Sequence, residues 1–261
     1  ILNRVFVVGI LLLLASPVFA DEIFSLKVGH QTLTPKGSFA VDGMGLSGTR
    51  VDVEEHLNYD DSEDLFAEAA VQLGDFRLSA AYLPIGFSGS ALLDQTLIFD
   101  GVSFDSGNRI ASTTDIDLYD VALCWYLLNV DDLPARLQIG PELSVKLIDA
   151  TVAMRELATA TTRDDSLQGA LATVGLRAKI GLADFLSISG RVGYFGYGGN
   201  TFLDTDAQVE FSPLPMVGLF AGFRLLELDI DESGVVIDTT LEGPYLGAMI
   251  RFCRLSRYSA V

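Results

Sequence analysis

"ARLQIGPELSVKLIDA", residues 135–150, alternates with a period of two. Ala135, Leu137, Ile139, Pro141, Leu143, Val145 and Leu147 share one side, and Arg136, Gln138, Gly140, Glu142, Ser144 and Lys146 share the other. Successive side chains of a β-strand point to opposite faces, so this stretch reads as a strand with one apolar and one polar face. The fold turns on which of the two faces meets the protein interior.

The chain is 261 residues long, 49% hydrophobic, with a mean hydropathy of +0.38. Past the first twenty residues no apolar run approaches the roughly 18 residues that a spanning helix needs. A chain this hydrophobic has one other way to satisfy its backbone in lipid, a closed β-barrel. The start, "ILNRVFVVGILLLLASPVFADE", places Arg4 before an apolar core, Val5–Leu14, and a small-residue cleavage site at Val18-Phe19-Ala20. That order is a secretory signal peptide over 1–20, and it implies export. Arg4 is the only charge before residue 21, so its removal takes the formal net charge from −18 to −19. A charge of that sign excludes nucleic acid as a partner. Only Cys124 and Cys253 are present, too few for a disulfide-stapled fold, and both are expected to be free thiols.

Period-two stretches recur about ten times. They cover approximately 23–31, 64–73, 76–87, 115–128, 135–150, 167–180, 185–195, 206–212, 216–230 and 235–252. The second and third form a hairpin through Gly74-Asp75, which sets Leu73 opposite Phe76, Val71 opposite Leu78, Ala69 opposite Ala80 and Gln72 opposite Arg77. Turns at 74–75, 129–134, 181–184 and 212–215 are short. The connections at 32–63, 88–114, 151–166 and 196–205 read as long loops, and 231–234 as a brief one. Short turns at one end and long loops at the other are the pattern of an outer-membrane barrel.

A soluble sandwich also alternates, with its apolar face inward. Three features assign the apolar face to lipid instead. The polar face carries Gly140, Gly175, Gly193, Gly218, Gly222 and Gly247, which relieve crowding inside a narrow barrel. Aromatics gather beside the short turns, at Phe76, Trp125, Tyr126, Phe185, Phe211 and Phe252, as an interfacial girdle requires. The strands also reach the 9–11 residues that cross a bilayer at a tilt.

With "LFAEAAVQLGDFRLSAAYLP" and the closing "YLGAMIRF", the chain resembles bacterial outer-membrane β-barrel proteins, the broad small porin-like group. The resemblance implies an all-β, transmembrane, antiparallel up-and-down barrel of about ten strands (8–12), monomeric, in the outer membrane of a Gram-negative cell. It implies contact with outer-membrane lipid and lipopolysaccharide. It also implies periplasmic chaperones and an insertion machinery that reads Leu246, Ala248, Ile250 and Phe252. The barrel domain is expected over 21–252, with a short tail at 253–261. That tail is a departure, since the assembly signal usually closes the chain.

Phase assigns Glu68, Arg77, Asp120, Arg136, Glu142, Lys146, Arg177, Lys179, Arg191, Glu210, Arg224 and Arg251 to the lumen. Buried charges require partners, so these read as an ion-pair network filling a small barrel; the alternative is a basic constriction that selects anions. The first loop carries Asp52, Glu54, Glu55, Asp60, Asp61, Glu63 and Asp64. These suggest a solvated acidic face, or carboxylates that engage divalent cations and, through them, lipopolysaccharide. For catalysis the only candidate is His56 with Asp60 or Asp61, since His30 falls in the lipid phase. The reading is therefore a non-enzymatic barrel without cofactor or metal. Its role is structural, or the passage of small solutes or hydrophobic compounds, with a surface-binding barrel as the alternative.

Overall fold

In a computed structural model, residues 22–42, 46–130, 136–183, 185–214, 216–232 and 234–253 are described. The expected signal peptide and most of the tail lie outside them. Ten long strands account for most of the described residues. They are β1 (Glu22–Val41), β2 (Ser62–Leu73), β3 (Phe76–Leu92), β4 (Arg109–Trp125) and β5 (Arg136–Glu156), followed by β6 (Thr162–Ala183), β7 (Leu186–Tyr197), β8 (Asn200–Phe211), β9 (Val217–Glu232) and β10 (Val235–Cys253). Each pairs antiparallel with its chain neighbours, and β10 pairs with β1 to close the barrel.

The register fixes the tilt. Followed from partner to partner, it runs Phe24, Val71, Leu78, Leu123, Leu143, Val174, Tyr194, Leu203, Glu227, Thr240 and returns to β1 at Lys36. With strands about 4.8 Å apart and a rise of about 3.3 Å per residue, that stagger over ten strands means a tilt of about 40°. The β2–β3 hairpin has the register read from its sequence, Leu73 to Phe76 and Val71 to Leu78. Gly74 stands at φ 60°, the conformation a two-residue hairpin turn needs at its first position.

The opening stretch alternates without interruption from Ile139 to Leu147, odd residues exposed and even ones buried. Leu143 is 58% exposed, Val174 62% and Leu246 66%, whereas Lys146 is 1% exposed. Large aliphatics standing outside and charges standing inside invert a soluble protein. This is the exterior of a transmembrane barrel. No helix among the described residues is long and apolar enough to cross a membrane. At the short-turn end the ring pairs Phe24–Phe252, Phe76–Trp125 and Phe185–Phe211 lie 5.8–5.9 Å apart. They form a girdle at the interface. Tyr126 departs from the expectation: its backbone N–H donates to the Asp75 carbonyl, and its side chain is buried.

Two inward glycines show how crowded the interior is. A Cβ on Gly222 would stand 2.4 Å from the Tyr245 ring, and one on Gly247 2.5 Å from the Phe220 ring.

Most strands run farther outward than their apolar patterning. Beyond the lipid band the ladder persists while the outward residues turn polar, as at Asp117 and Asp115 on β4, so alternation no longer marks the strand. The presumed long loops at 151–166 and 196–205 shrink accordingly to tight connections at 157–161 and at Gly198-Gly199.

Candidate functional site

The barrel interior is layered. At mid-height, charges cross from wall to wall. Lys146 on β5 reaches Asp120 on β4 at 2.7 Å and Asp204 on β8 at 2.5 Å. Arg191 on β7 joins the same two carboxylates at 2.8 and 2.9 Å. Toward the short-turn end Arg177 pairs with Glu142, and Arg77 lies 3.2 Å from Glu68. Lys27 and Lys179 hold Glu210 at 2.8 and 3.0 Å. Arg224 donates to Gln31 at 2.7 Å and lies 3.5 Å from Asp206. Arg136 and Arg251 occupy the same inward phase at the short-turn end, both partly buried. A cavity of about 20 Å³ remains among these groups, room for about one water.

Three members of this layer escaped the sequence reading: Lys27, Asp204 and Asp206. Lys27 lies between Leu26 and Val28 in the opposite phase, so the alternation of β1 already contained it. Asp204 fell into a presumed loop because Thr201 and Thr205 occupy outward positions where apolar residues were sought.

Above the charges the lumen becomes apolar, contrary to the expectation of a polar interior throughout. Leu33, Phe66, Leu83, Ile85, Phe87, Leu118, Phe202 and Leu226 are buried together, with Ile148, Leu171 and Phe195 packed against them. These residues share the inward phase with the charges below, so no register slip is involved. Strands whose two faces are both apolar carry no alternation to read.

The wall around this apolar layer is uneven. The β6–β7 ladder ends at Val174 and Tyr194, while β6 continues to Thr162 paired only with β5. Over residues 162–173, no partner strand lies on the β7 side among the described residues. The outward residues just above Val174 are Ala172 and Ala170, still apolar, so the gap begins within the lipid band. Leu171 and Phe195 line its inner side, and a Cβ on the inward Gly169 would meet nothing within 4 Å. The seam between β2 and β3 is different. Their ladder stops at Ala67 and Tyr82, two residues before Pro84, but side chains close it. Gln31 donates to the Pro84 carbonyl at 3.0 Å, and Asp64 accepts from the Gly86 N–H at 2.9 Å.

The outer loops form an ordered cap. Phe39, Val51, Val53, Leu57, Leu93, Leu97, Phe99, Phe104, Ile110 and Met154 make a second buried cluster, partly on a small hairpin, Leu97–Phe99 with Val102–Phe104. Asp52 caps a turn in this loop, accepting from the N–H groups of Glu54 and Glu55 at 2.9 Å. Glu54, Glu55, Asp60, Asp61 and Glu63 are exposed. No group of three or more potential metal ligands gathers among the described residues. The His56 ring accepts from the Asp52 N–H at 2.9 Å and lies 3.2 Å from the Gln95 amide, so it fastens the loop. On the same side, hydrogen bonds from Thr159 and Asn108 hold the Glu156 carboxyl below its ordinary range. Cys124 is a buried free thiol, while the Cys253 side chain lies outside what is described.

No protein-family model and no curated relative matches the chain. Several solved structures are similar to it. The translocator domain of autotransporter NalP from Neisseria meningitidis matches at 13% identity, covering 96% of this chain and 94% of that one, with a TM-score of 0.45. Ail, the attachment invasion locus protein of Yersinia pestis, matches at 9% identity, covering 89% and 100%, with a TM-score of 0.35. The outer membrane protein OprG from Pseudomonas aeruginosa matches at 13% identity, covering 89% and 97%, with a TM-score of 0.32.

Proposed function

We propose that this chain is an outer-membrane barrel of a Gram-negative cell whose lumen is closed to polar solutes, and that it passes hydrophobic compounds sideways between its outer mouth and the lipid. The carrying observation is the layering. A cross-barrel ion-pair layer leaves about 20 Å³ unfilled, and above it an apolar layer lies beside the unpaired β6–β7 gap. Polar solutes meet a barrier of paired charges, whereas an apolar molecule finds apolar walls and an exit at the level of the lipid. No residue here is asked to do chemistry. The role is passive, and the protein acts as a monomer.

Cells with intact lipopolysaccharide that express the protein are expected to accumulate a hydrophobic probe such as N-phenylnaphthylamine faster than cells without it. Leu171→Asp is expected to remove the gain. Equal accumulation with and without the folded protein refutes the reading.

The ordered loop cap supports a second reading, in which exposed Glu54, Glu55, Asp60, Asp61 and Glu63 engage lipopolysaccharide phosphates through divalent cations. Calcium-dependent binding of lipopolysaccharide, lost on neutralising these five side chains, tests it. Assembly is expected to depend on periplasmic chaperones and on recognition of β10, whose Leu246, Ile250 and Phe252 all stand outward.

A further inference from the structure

The outer half of β6 is a strand with one side bare. Over 162–173 it pairs with β5, and with nothing on the β7 side among the described residues. Continuing the Val174–Tyr194 register would carry Tyr197, the last residue of β7, only as far as Leu171, so 162–169 stand above the turn into β8. Along such an edge the N–H and C=O groups of alternate residues point outward unpaired, a template for a further strand.

The outward residues divide this edge in two. Ala172 and Ala170 are apolar, whereas Gln168, Ser166, Asp164 and Thr162 are polar and exposed. Residues 162–169 therefore stand in water, outside the lipid-level part of the gap. From Ser166 to Ala170 every residue is exposed, so neither face of this ribbon is covered. The strand is nevertheless held extended. On its other side β5 pairs with β4 as far as Glu156, and Arg163 forms an ion pair with Asp100 in the cap hairpin. An edge already in strand conformation lowers the ordering cost of binding.

Charge selects the partner. Asp164 and Asp165 sit on the edge, and Asp229 and Asp231 are exposed on β9, beyond the low β7–β8 turn. None of the four has an ion-pair partner among the described residues. A second copy would bring the same carboxylates to the edge, and the chain's formal net charge is already −18. Like charges set opposite each other across a strand pair are destabilising.

We propose that residues 162–169 of β6 are a docking edge that takes an extended, basic polypeptide segment as an added strand. Main-chain hydrogen bonds supply the attachment, and lysine or arginine side chains near Asp164 and Asp165 supply the selection. This interaction does not rest on the passage of hydrophobic compounds, which concerns the lipid-level part of the gap.

The test titrates the refolded barrel, in a neutral detergent, into a fluorescent peptide of alternating lysine and threonine, matched in length to 162–169. Anisotropy is expected to rise saturably. The same peptide N-methylated at every residue keeps its charge but loses its backbone donors, and its binding should be lost. Asp164→Lys together with Asp165→Lys is expected to weaken binding of the unmodified peptide about tenfold. Hydrogen exchange should show new protection within 162–169 when the unmodified peptide is added. No saturable binding, equal binding of the methylated peptide, or protection only outside 162–169 overturns the proposal. Protection of 162–169 that grows with protein concentration in the absence of peptide assigns the edge to a second copy, and overturns it too. If the double variant fails to fold, the methylated peptide and the exchange map decide.

Discussion

Lys146→Met probes the charged layer at its most buried cation. The Lys146 side chain is 1% exposed and lies between Asp120 and Asp204, themselves 2% and 3% exposed. Methionine keeps the length of the stem and removes the charge. Asp120 and Asp204 then share Arg191 as their cation, two buried carboxylates on one guanidinium. Removing one member of a buried ion pair costs about 3–5 kcal/mol, because the remaining charge is stranded. Arg191 still touches both carboxylates, so the lower end, about 3 kcal/mol, is expected. Adding Asp204→Asn to Lys146→Met removes the surplus carboxylate and should restore much of the loss. Lys36, 48% exposed and 2.6 Å from Glu242, is the control, and Lys36→Met should leave stability unchanged. The assay is urea unfolding of the barrel in lipid vesicles, followed by tryptophan emission and by heat-modifiable gel migration. Lys146→Met as stable as the parent, or Lys146→Met/Asp204→Asn less stable than Lys146→Met, would refute the reasoning.

Other consequences follow from local geometry. Gly247→Val would drive side-chain atoms into the Phe220 ring and the Val28 carbonyl, and it should lower stability by at least about 1–3 kcal/mol in the same unfolding assay. Trp125→Leu removes the stack on Phe76 at the membrane interface and should cost about 0.5–1.5 kcal/mol beyond lost area, measurable by a double-mutant cycle with Phe76→Leu. With Cys253 replaced by serine, Cys124 should resist a polar maleimide in the folded barrel and react after unfolding. Because the Glu156 carboxyl titrates below its ordinary range, its hydrogen bonds stabilise the 157–161 turn at neutral pH. That contribution is full above the unfolded-state value of about 4.3 and fades as pH falls through the lower folded-state value. Protection of the turn amides, taken relative to intrinsic exchange at each pH, should therefore fall in acid, and Glu156→Gln should remove the step.

The exterior was legible because lipid imposes a simple rule on it. From Leu143 to Leu147, and over Ala67–Leu73 and Phe76–Ala80 of the β2–β3 hairpin, every outward residue is apolar, so phase, face and register followed from alternation alone. The same phase turns Asp120, Glu142 and Lys146 inward, while Lys27, equally in phase on β1, was passed over. Where the rule lapses, so did the reading. Thr205 and Thr201 tolerate an outward position on β8, and with them Asp204 dropped out of the strand. Phe66, Leu83 and Phe202 are apolar on the inward face, which alternation treats as noise. Tyr126 continues the inward phase of Ala122 and Cys124 just past the β4 ladder, so its residue type suggested the girdle while its own phase pointed to the lumen. The gap beside β6 was invisible for another reason: a missing ladder is a property of two strands, and neither sequence encodes it alone.

The central claim is that paired charges close the lumen. Its most direct test is single-channel recording of the signal-free, refolded protein in a planar bilayer, with folding verified by heat-modifiable migration. The account predicts silence from the folded barrel under either polarity and in any simple salt. Discrete conductance steps from folded protein, reversing at an ion-selective potential, would contradict it.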